Sequence, residues 1–204
     1  MPLPVPVSIP SNLQTTTMKQ LHLALVLAAG LGAAGLAAAQ QVVPAQSTIT
    51  FTSKQMGVPV DGKFAKWTAS IAFDPKKPEA GKVAFTIDTS SATFGVKETD
   101  SEMPKAEWFN VAKFPTATFT STAIKADGGG KFDVAGKLTV KGTTKDVVVP
   151  IALAQSGPNT TATGAFTIKR TDFKIGEGEW ADTSTVAAEV VVKFKIALTG
   201  VAPL

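Results

Sequence analysis

From residue 48 to the end of the chain, apolar and polar side chains exchange places with a period of two. Ile49 and Phe51 alternate with Thr48, Thr50 and Thr52; Val60, Gly62 and Phe64 alternate with Asp61 and Lys63; Ala69, Ile71 and Phe73 lead into an Asp74-Pro75 turn. Val83, Phe85 and Ile87 follow, set against Lys82, Thr86 and Asp88. Beyond residue 115 the pattern resumes with Ala117 and Phe119, then Phe132, Val134, Leu138 and Val140, then Val147, Val149, Ile151 and Leu153. Gly164, Phe166 and Ile168 lead to Arg170, and the last run places Val186, Ala188, Val190, Val192, Phe194, Ile196 and Leu198 on one face, with Glu189, Lys193, Lys195 and Thr199 on the other. Alternation of this kind predicts half-buried strands. Short turns and the lack of long intervening helices predict an antiparallel sheet with one wet face.

One region breaks the period. The stretch DSEMPKAEWFNVAKFPTATFTS, residues 100–121, begins as a short helical segment near residues 100–110, with Trp108 and Phe109 adjacent, and becomes a strand after Pro115. Adjacent aromatic rings on a helix or turn point about a hundred degrees apart, so at least one needs a cover. The segment reads as a mouth passing into a wall. A sheet of about eight strands must protect its edges, and closure into a barrel does so while turning the apolar faces inward. Several inward positions are small: Gly62, Ala69, Ala117, Gly136, Gly164 and Ala188. They fit either a ligand-holding interior or corners where strands bend, and periodicity leaves both readings open.

Ahead of the strands, residues 21–36 are uncharged and apolar, Lys19 precedes them, and Ala37-Ala38-Ala39 supplies an A-x-A site, the pattern of a secretory signal peptide cut after Ala39. Residues 1–17 are uncharged, and Met18 is the expected start. Removing residues 1–39 leaves 40–204 as a single expected domain, with no stable membrane span and a periplasmic destination. Lys19 is the only charge removed, which takes the formal net charge from +4 to +3. The remaining cations are scattered lysines and one arginine, Arg170, which argues against a nucleic-acid surface.

The composition narrows the chemistry further. The chain has no Cys and no Tyr, and its single histidine, His22, lies in the leader. Disulfides, thiol catalysis, a Ser-His-Asp arrangement and imidazole metal ligation are therefore excluded from the mature domain. A catalyst would have to use carboxylates such as Asp100, Asp172 or Glu177. Asp172, Glu177, Glu179 and Asp182 form an acidic loop without EF-hand spacing, and nothing in it fixes the separation a glycosidase pair requires. GLGAAG, residues 30–35, matches a dinucleotide fingerprint but lacks a preceding strand. No catalytic or metal-ligating set is assigned.

The order of several short motifs resembles the YceI-like family of exported, lipocalin-like, polyisoprenoid-binding proteins: STITFTSKQMG at 47–57, Gly62-Lys63-Phe64, the 100–109 segment with its following FPTATFTS, VAGKLTVKGTTK at 134–145, and Arg170-Thr171-Asp172-Phe173. The resemblance implies an all-β, extended antiparallel lipocalin-like barrel with a hydrophobic channel for an isoprenoid chain. Gln55, Thr99, Glu102, Trp108 and Asn110 depart from the family's commoner residues, as in a subgroup whose mouth has lost basic and titratable groups. The expected lipid-contacting residues are Phe51, Phe64, Phe85, Trp108, Phe109, Phe119, Phe173, Val192 and Phe194. The expected partner is an isoprenoid or other long-chain amphiphile, with a homodimer left open; no cofactor is expected beyond such a bound lipid. The function implied is a non-catalytic carrier, with an accessory role in a membrane electron-transfer or stress system as the alternative and a carboxylate-based hydrolase behind it.

Overall fold

The computed structural model describes residues 40–204; residues 1–39, on which the expected signal peptide falls, lie outside the described residues. Each alternating run forms a strand. In chain order they are β1 (Gln41–Val42), β2 (Thr48–Gln55), β3 (Val58–Phe64), β4 (Trp67–Ala72), β5 (Lys82–Asp88), β6 (Ala92–Thr93), β7 (Thr116–Gly128), β8 (Lys131–Val140), β9 (Thr143–Ser156), β10 (Asn159–Lys169) and β11 (Glu189–Thr199). They form one antiparallel sheet in the order β4-β5-β7-β8-β9-β10-β11-β2-β3-β6, with β1 paired to β11. The sheet curls so that its apolar face lines the interior. On β11, Lys193 and Lys195 are exposed while Val192 and Phe194 are half-buried and line the interior, as the alternation requires. A slip of one residue would bury both lysines, at several kcal/mol each.

Nine strands are long enough to show the period, against the roughly eight expected, and the two-residue strands β1 and β6 are too short to show one. The expected complete closure is also corrected: among the described residues no backbone ladder joins β4 to β6. The seam is held at two points instead. Ala65 and Lys66 link β3 directly to β4, and this corner is fixed by Ala65 N–H donating to Ser91 O (3.1 Å) and Asp88 N–H donating to Lys66 O (3.0 Å). At the other end of β4, the Gln40 side-chain amide acts as a substitute strand residue. Its Nε2 donates to Phe73 O, and its Oε1 accepts from Phe73 N–H at 2.8 Å.

On β7 a register shift between Ser121 and Ala123 inserts one residue. The inward face therefore passes from Ala117, Phe119 and Ser121 to Ile124, and the Ser121 hydroxyl accepts the Val83 N–H at 2.9 Å. The short helix α1 spans Lys97–Glu102, earlier than expected. Pro104 has no N–H to donate back to Asp100, so the helical ladder stops before it. Trp108 and Phe109 consequently sit in hydrogen-bonded turns, not on the helix.

Three of the small inward residues, the glycines, have a specific use. A Cβ on Gly62 would lie 2.4 Å from the Phe51 ring, one on Gly136 2.5 Å from Phe119, and one on Gly164 2.4 Å from Phe194. Phe51 and Phe194 face their glycines directly across the ladder. These glycines are seats on which aromatic rings lie flat, which fixes the rings along the wall.

Candidate ligand-binding site

The inward faces enclose an apolar cavity of about 230 Å³, against the ~10–15 Å³ needed to hold one water. Eight of the nine residues expected at the lipid lie on its wall: Phe51, Phe64, Phe85, Trp108, Phe109, Phe119, Val192 and Phe194. Phe173 is not on that wall. It is 2 % exposed and packs with Trp108, Leu138 and Ile175 behind the wall, because the chain leaves β10 in a 3-10 turn over Arg170–Phe173 that ends the alternation.

One end of the cavity is roofed by residues 94–114. Phe94 stacks edge-on against Phe51 (5.2 Å between centroids, 89°), and Phe109 against Phe64 (6.0 Å, 68°). Trp108 meets Trp180 at 5.5 Å. Trp108 and Phe109 are both buried, so they form the inner surface of a closed roof and not the rim of an open mouth.

Three ties hold the roof. Asp100 accepts from the Thr93 hydroxyl and the Phe94 N–H, each at 2.6 Å, and these donors hold its carboxyl below the ordinary carboxylate range. The Glu107 carbonyl accepts from the Gly176 and Glu177 N–H groups at 2.8 and 3.0 Å, which stitches the roof to the loop after β10. Lys141, buried at the β8–β9 turn with φ 47°, donates to Glu107 O (3.3 Å), Lys174 O (2.6 Å) and Glu177 Oε2 (3.0 Å). A left-handed lysine is costly unless its surroundings fix it, and these three acceptors do so.

Arg170 organises the neighbouring loop. It is 2 % exposed and lines the same end of the cavity. Its five N–H groups are all used on backbone carbonyls: Nε on Ala187 O (3.1 Å), Nη1 on Ile175 O and Gly176 O (2.8 and 2.9 Å), Nη2 on Trp180 O and Val186 O (2.8 and 2.6 Å). No carboxylate pairs with it among the described residues, and burial pulls its pKa down. Gly176, at φ 72°, permits the approach: a Cβ there would lie 2.3 Å from Nη1.

The carboxylates weighed for catalysis are dispersed. Asp100 caps the roof, Glu177 pairs with Lys141, Asp182 accepts the Ser184 N–H at 2.8 Å, and Asp172 and Glu179 are exposed. Among the described residues no three His, Cys, Asp or Glu side chains converge on a metal position. Sequence reasoning missed Ser53, Phe94, Met103 and Arg170 on the cavity wall. Two of these were accessible to it: extending Ile49-Phe51 by two reaches Ser53, and extending Phe166-Ile168 by two reaches Arg170.

A curled antiparallel sheet around an apolar interior defines a lipocalin-like class of barrel protein. The chain belongs to the YceI-like family, whose domain profile matches residues 40–198. It is 37% identical over 137 residues to a UPF0312 protein of Azotobacter vinelandii, covering 65% of this chain and 71% of that one. It is 43% identical over 96 residues to the protein YceI of Salmonella arizonae, covering 47% of this chain and half of the relative. Among solved structures, Burkholderia cenocepacia BcnA superposes with a TM-score of 0.75 at 43% identity, covering 77% of this chain and 99% of BcnA. A polyisoprenoid binding domain from Saccharophagus degradans shares the fold, with a TM-score of 0.61 at 19% identity, over 81% of this chain and 99% of that domain.

Proposed function

We propose that the chain is an exported, non-catalytic carrier that holds an isoprenoid or similar single-chain amphiphile in its barrel. The observation that carries this reading is the apolar cavity of about 230 Å³, walled by aromatic and branched side chains. Burial supplies the energy at about 0.8 kcal/mol per CH₂, so ten methylene equivalents give roughly 8 kcal/mol gross, and micromolar affinity remains after ordering costs. The absence of His, Cys and Tyr from residues 40–204 and the dispersal of the carboxylates support a role without catalysis. The leader pattern supports a periplasmic location, and a neighbour in the same fold described as polyisoprenoid-binding supports the chemical class. Titration with isoprenoid alcohols of increasing length, followed by tryptophan fluorescence, tests the reading. Affinity should rise with length and then level off; saturable binding of no member would refute it.

A further inference from the structure

Two independent features meet at Gln40. The leader pattern places its cut after Ala39, which makes Gln40 the first residue of the mature chain. The same residue closes the seam. Its backbone leads into β1, where Gln41 and Val42 pair with Thr199 and Leu198, and Val43 N–H donates to Ala197 O at 2.8 Å. From this fixed base the side chain reaches a residue 33 positions along the sequence: Nε2 donates to Phe73 O, and Oε1 accepts the Phe73 N–H at 2.8 Å. The target is fixed as well. Phe73 is 8 % exposed, lines the cavity and meets Phe132 edge-on at 5.1 Å.

An N-terminal glutamine carries both reactants of a ring closure. The α-amino group of a free chain has a pKa of about 8, so much of it is neutral and nucleophilic at mildly alkaline pH. Its nitrogen attacks the side-chain Cδ and the N–Cδ bond forms; the Cδ–Nε2 bond breaks, one amine proton passes to Nε2, and ammonia leaves. The product is a lactam, pyroglutamate, without the terminal positive charge. The step needs no oxidant, reductant or co-reactant. Closure demands that Cδ fold back onto the nitrogen of residue 40 itself. The clasp demands the opposite, that the amide extend to Phe73. Closure also expels Nε2, the donor to Phe73 O, and ties the remaining carbonyl into the ring, so the two states exclude each other.

Resting on the export reading above, we infer that Gln40 is a modification site, at which the Phe73 clasp and pyroglutamate formation compete for one side-chain amide. While the clasp holds, the mature chain keeps an open glutamine and a closed seam. Once the ring forms, the Phe73 carbonyl and N–H lose their partners, and the end of β4 is released beside a residue of the cavity wall. The protection has a definite size. Two net hydrogen bonds leave the amide free in roughly one molecule in ten to one in a hundred. Ring closure in the folded protein is slowed by about that factor relative to an unstructured chain with the same first residues.

The test starts from the mature protein secreted by its native host, with a synthetic peptide of residues 40–47 as the reference. Intact mass should show a chain that begins at Gln40 and retains its ammonia. During incubation at mildly alkaline pH, the folded protein should lose ammonia roughly ten- to a hundredfold more slowly than the peptide. In the cyclised form the Phe73 amide should exchange with solvent about tenfold faster than in the open form, because its acceptor has gone. A mature protein isolated wholly as the ring form, a closure rate equal to that of the peptide, or Phe73 exchange that ignores the ring would each overturn the inference while leaving the carrier reading standing. A mature N-terminus other than Gln40 would remove the expected cut and this site together. Every arm uses the unaltered protein, so no outcome depends on whether a variant folds.

Discussion

Replacing Arg170 tests whether one side chain holds the roofed end together. Burying an unpaired cation usually argues for substitution by a hydrophobe, which can even stabilise when all members of an ionic cluster are replaced together. That escape is closed here, because the partners are the backbone carbonyls of Ala187, Ile175, Gly176, Trp180 and Val186, which no mutation removes. Each orphaned buried carbonyl costs about 1–3 kcal/mol. Arg170→Met orphans all five, a gross loss of about 5 kcal/mol at the low end, from which the guanidinium's own desolvation, a few kcal/mol, is recovered; the expected net loss is about 3 kcal/mol. Lysine has three donors and no fork, so Arg170→Lys strands two carbonyls while keeping the buried charge, and should lose about 2 kcal/mol. Urea unfolding followed by far-UV dichroism measures the global loss, and tryptophan emission reports the Trp108–Trp180 contact separately. If Arg170→Met falls within about 1 kcal/mol of wild type with unchanged emission, or Lys replaces Arg without loss, the organising role is refuted.

Three further expectations concern the wall, the seam and the roof. Gly62→Ala should cost about 1–3 kcal/mol by driving a methyl into the Phe51 ring, and much less in a Phe51→Leu background; strictly additive losses in chemical denaturation would exclude the ring-seat explanation. Gln40→Ala breaks both side-chain bonds to Phe73 and should cost about 1–2 kcal/mol, with amide exchange rising first along β4; exchange unchanged there would show that the amide does not close the seam. Asp100 has its pKa lowered by Thr93 and Phe94, so its contribution is complete above the ordinary 3.8 and is lost as pH falls through the depressed folded value. The Phe94 amide resonance should accordingly titrate with a midpoint below pH 3.8 and stop doing so in Asp100→Asn; a midpoint at or above 3.8 contradicts the assigned hydrogen bonds.

The strands were legible because period two reports which face is buried, and six of the nine expected contacts, Phe51, Phe64, Phe85, Phe119, Val192 and Phe194, lie on the cavity wall for that reason, whereas Trp108 and Phe109 reach it from turns outside the strands. Phe173 failed because alternation says nothing once the chain leaves its strand, and the 3-10 turn at Arg170–Phe173 redirects the ring. The bulge on β7 and the seam between β3 and β4 depend on how a curled sheet meets itself, a long-range property with no local pattern. Phe94 and Met103 lie outside the alternating runs, between β6 and β7, so nothing marked them as lining. The small inward residues looked like either space for a ligand or room to bend; the structure shows a third use, since Gly62, Gly136 and Gly164 are filled by neighbouring rings. The cavity owes its shape to where those rings are pinned.

An apolar void inside a barrel carries an energetic cost that a ligand can relieve. At about 24 cal/mol per Å³, the cavity of about 230 Å³ represents some 5 kcal/mol of forgone packing, which is comparable to the whole stability of a small domain, roughly 5–15 kcal/mol. The empty barrel should thus be measurably less stable than the filled one. A ligand at a hundredfold excess over its Kd adds about 2.7 kcal/mol, and for a domain of this size each kcal/mol raises Tm by about 2–4 °C, so saturating isoprenoid alcohol should raise Tm by roughly 5–10 °C. Length provides the discriminating control: at fixed concentration the shift should grow with each added isoprene unit until the cavity is full and then stop. A shift that is absent, or that ignores chain length, would mean that the rings have collapsed into the space in solution and that the barrel is filled by its own side chains.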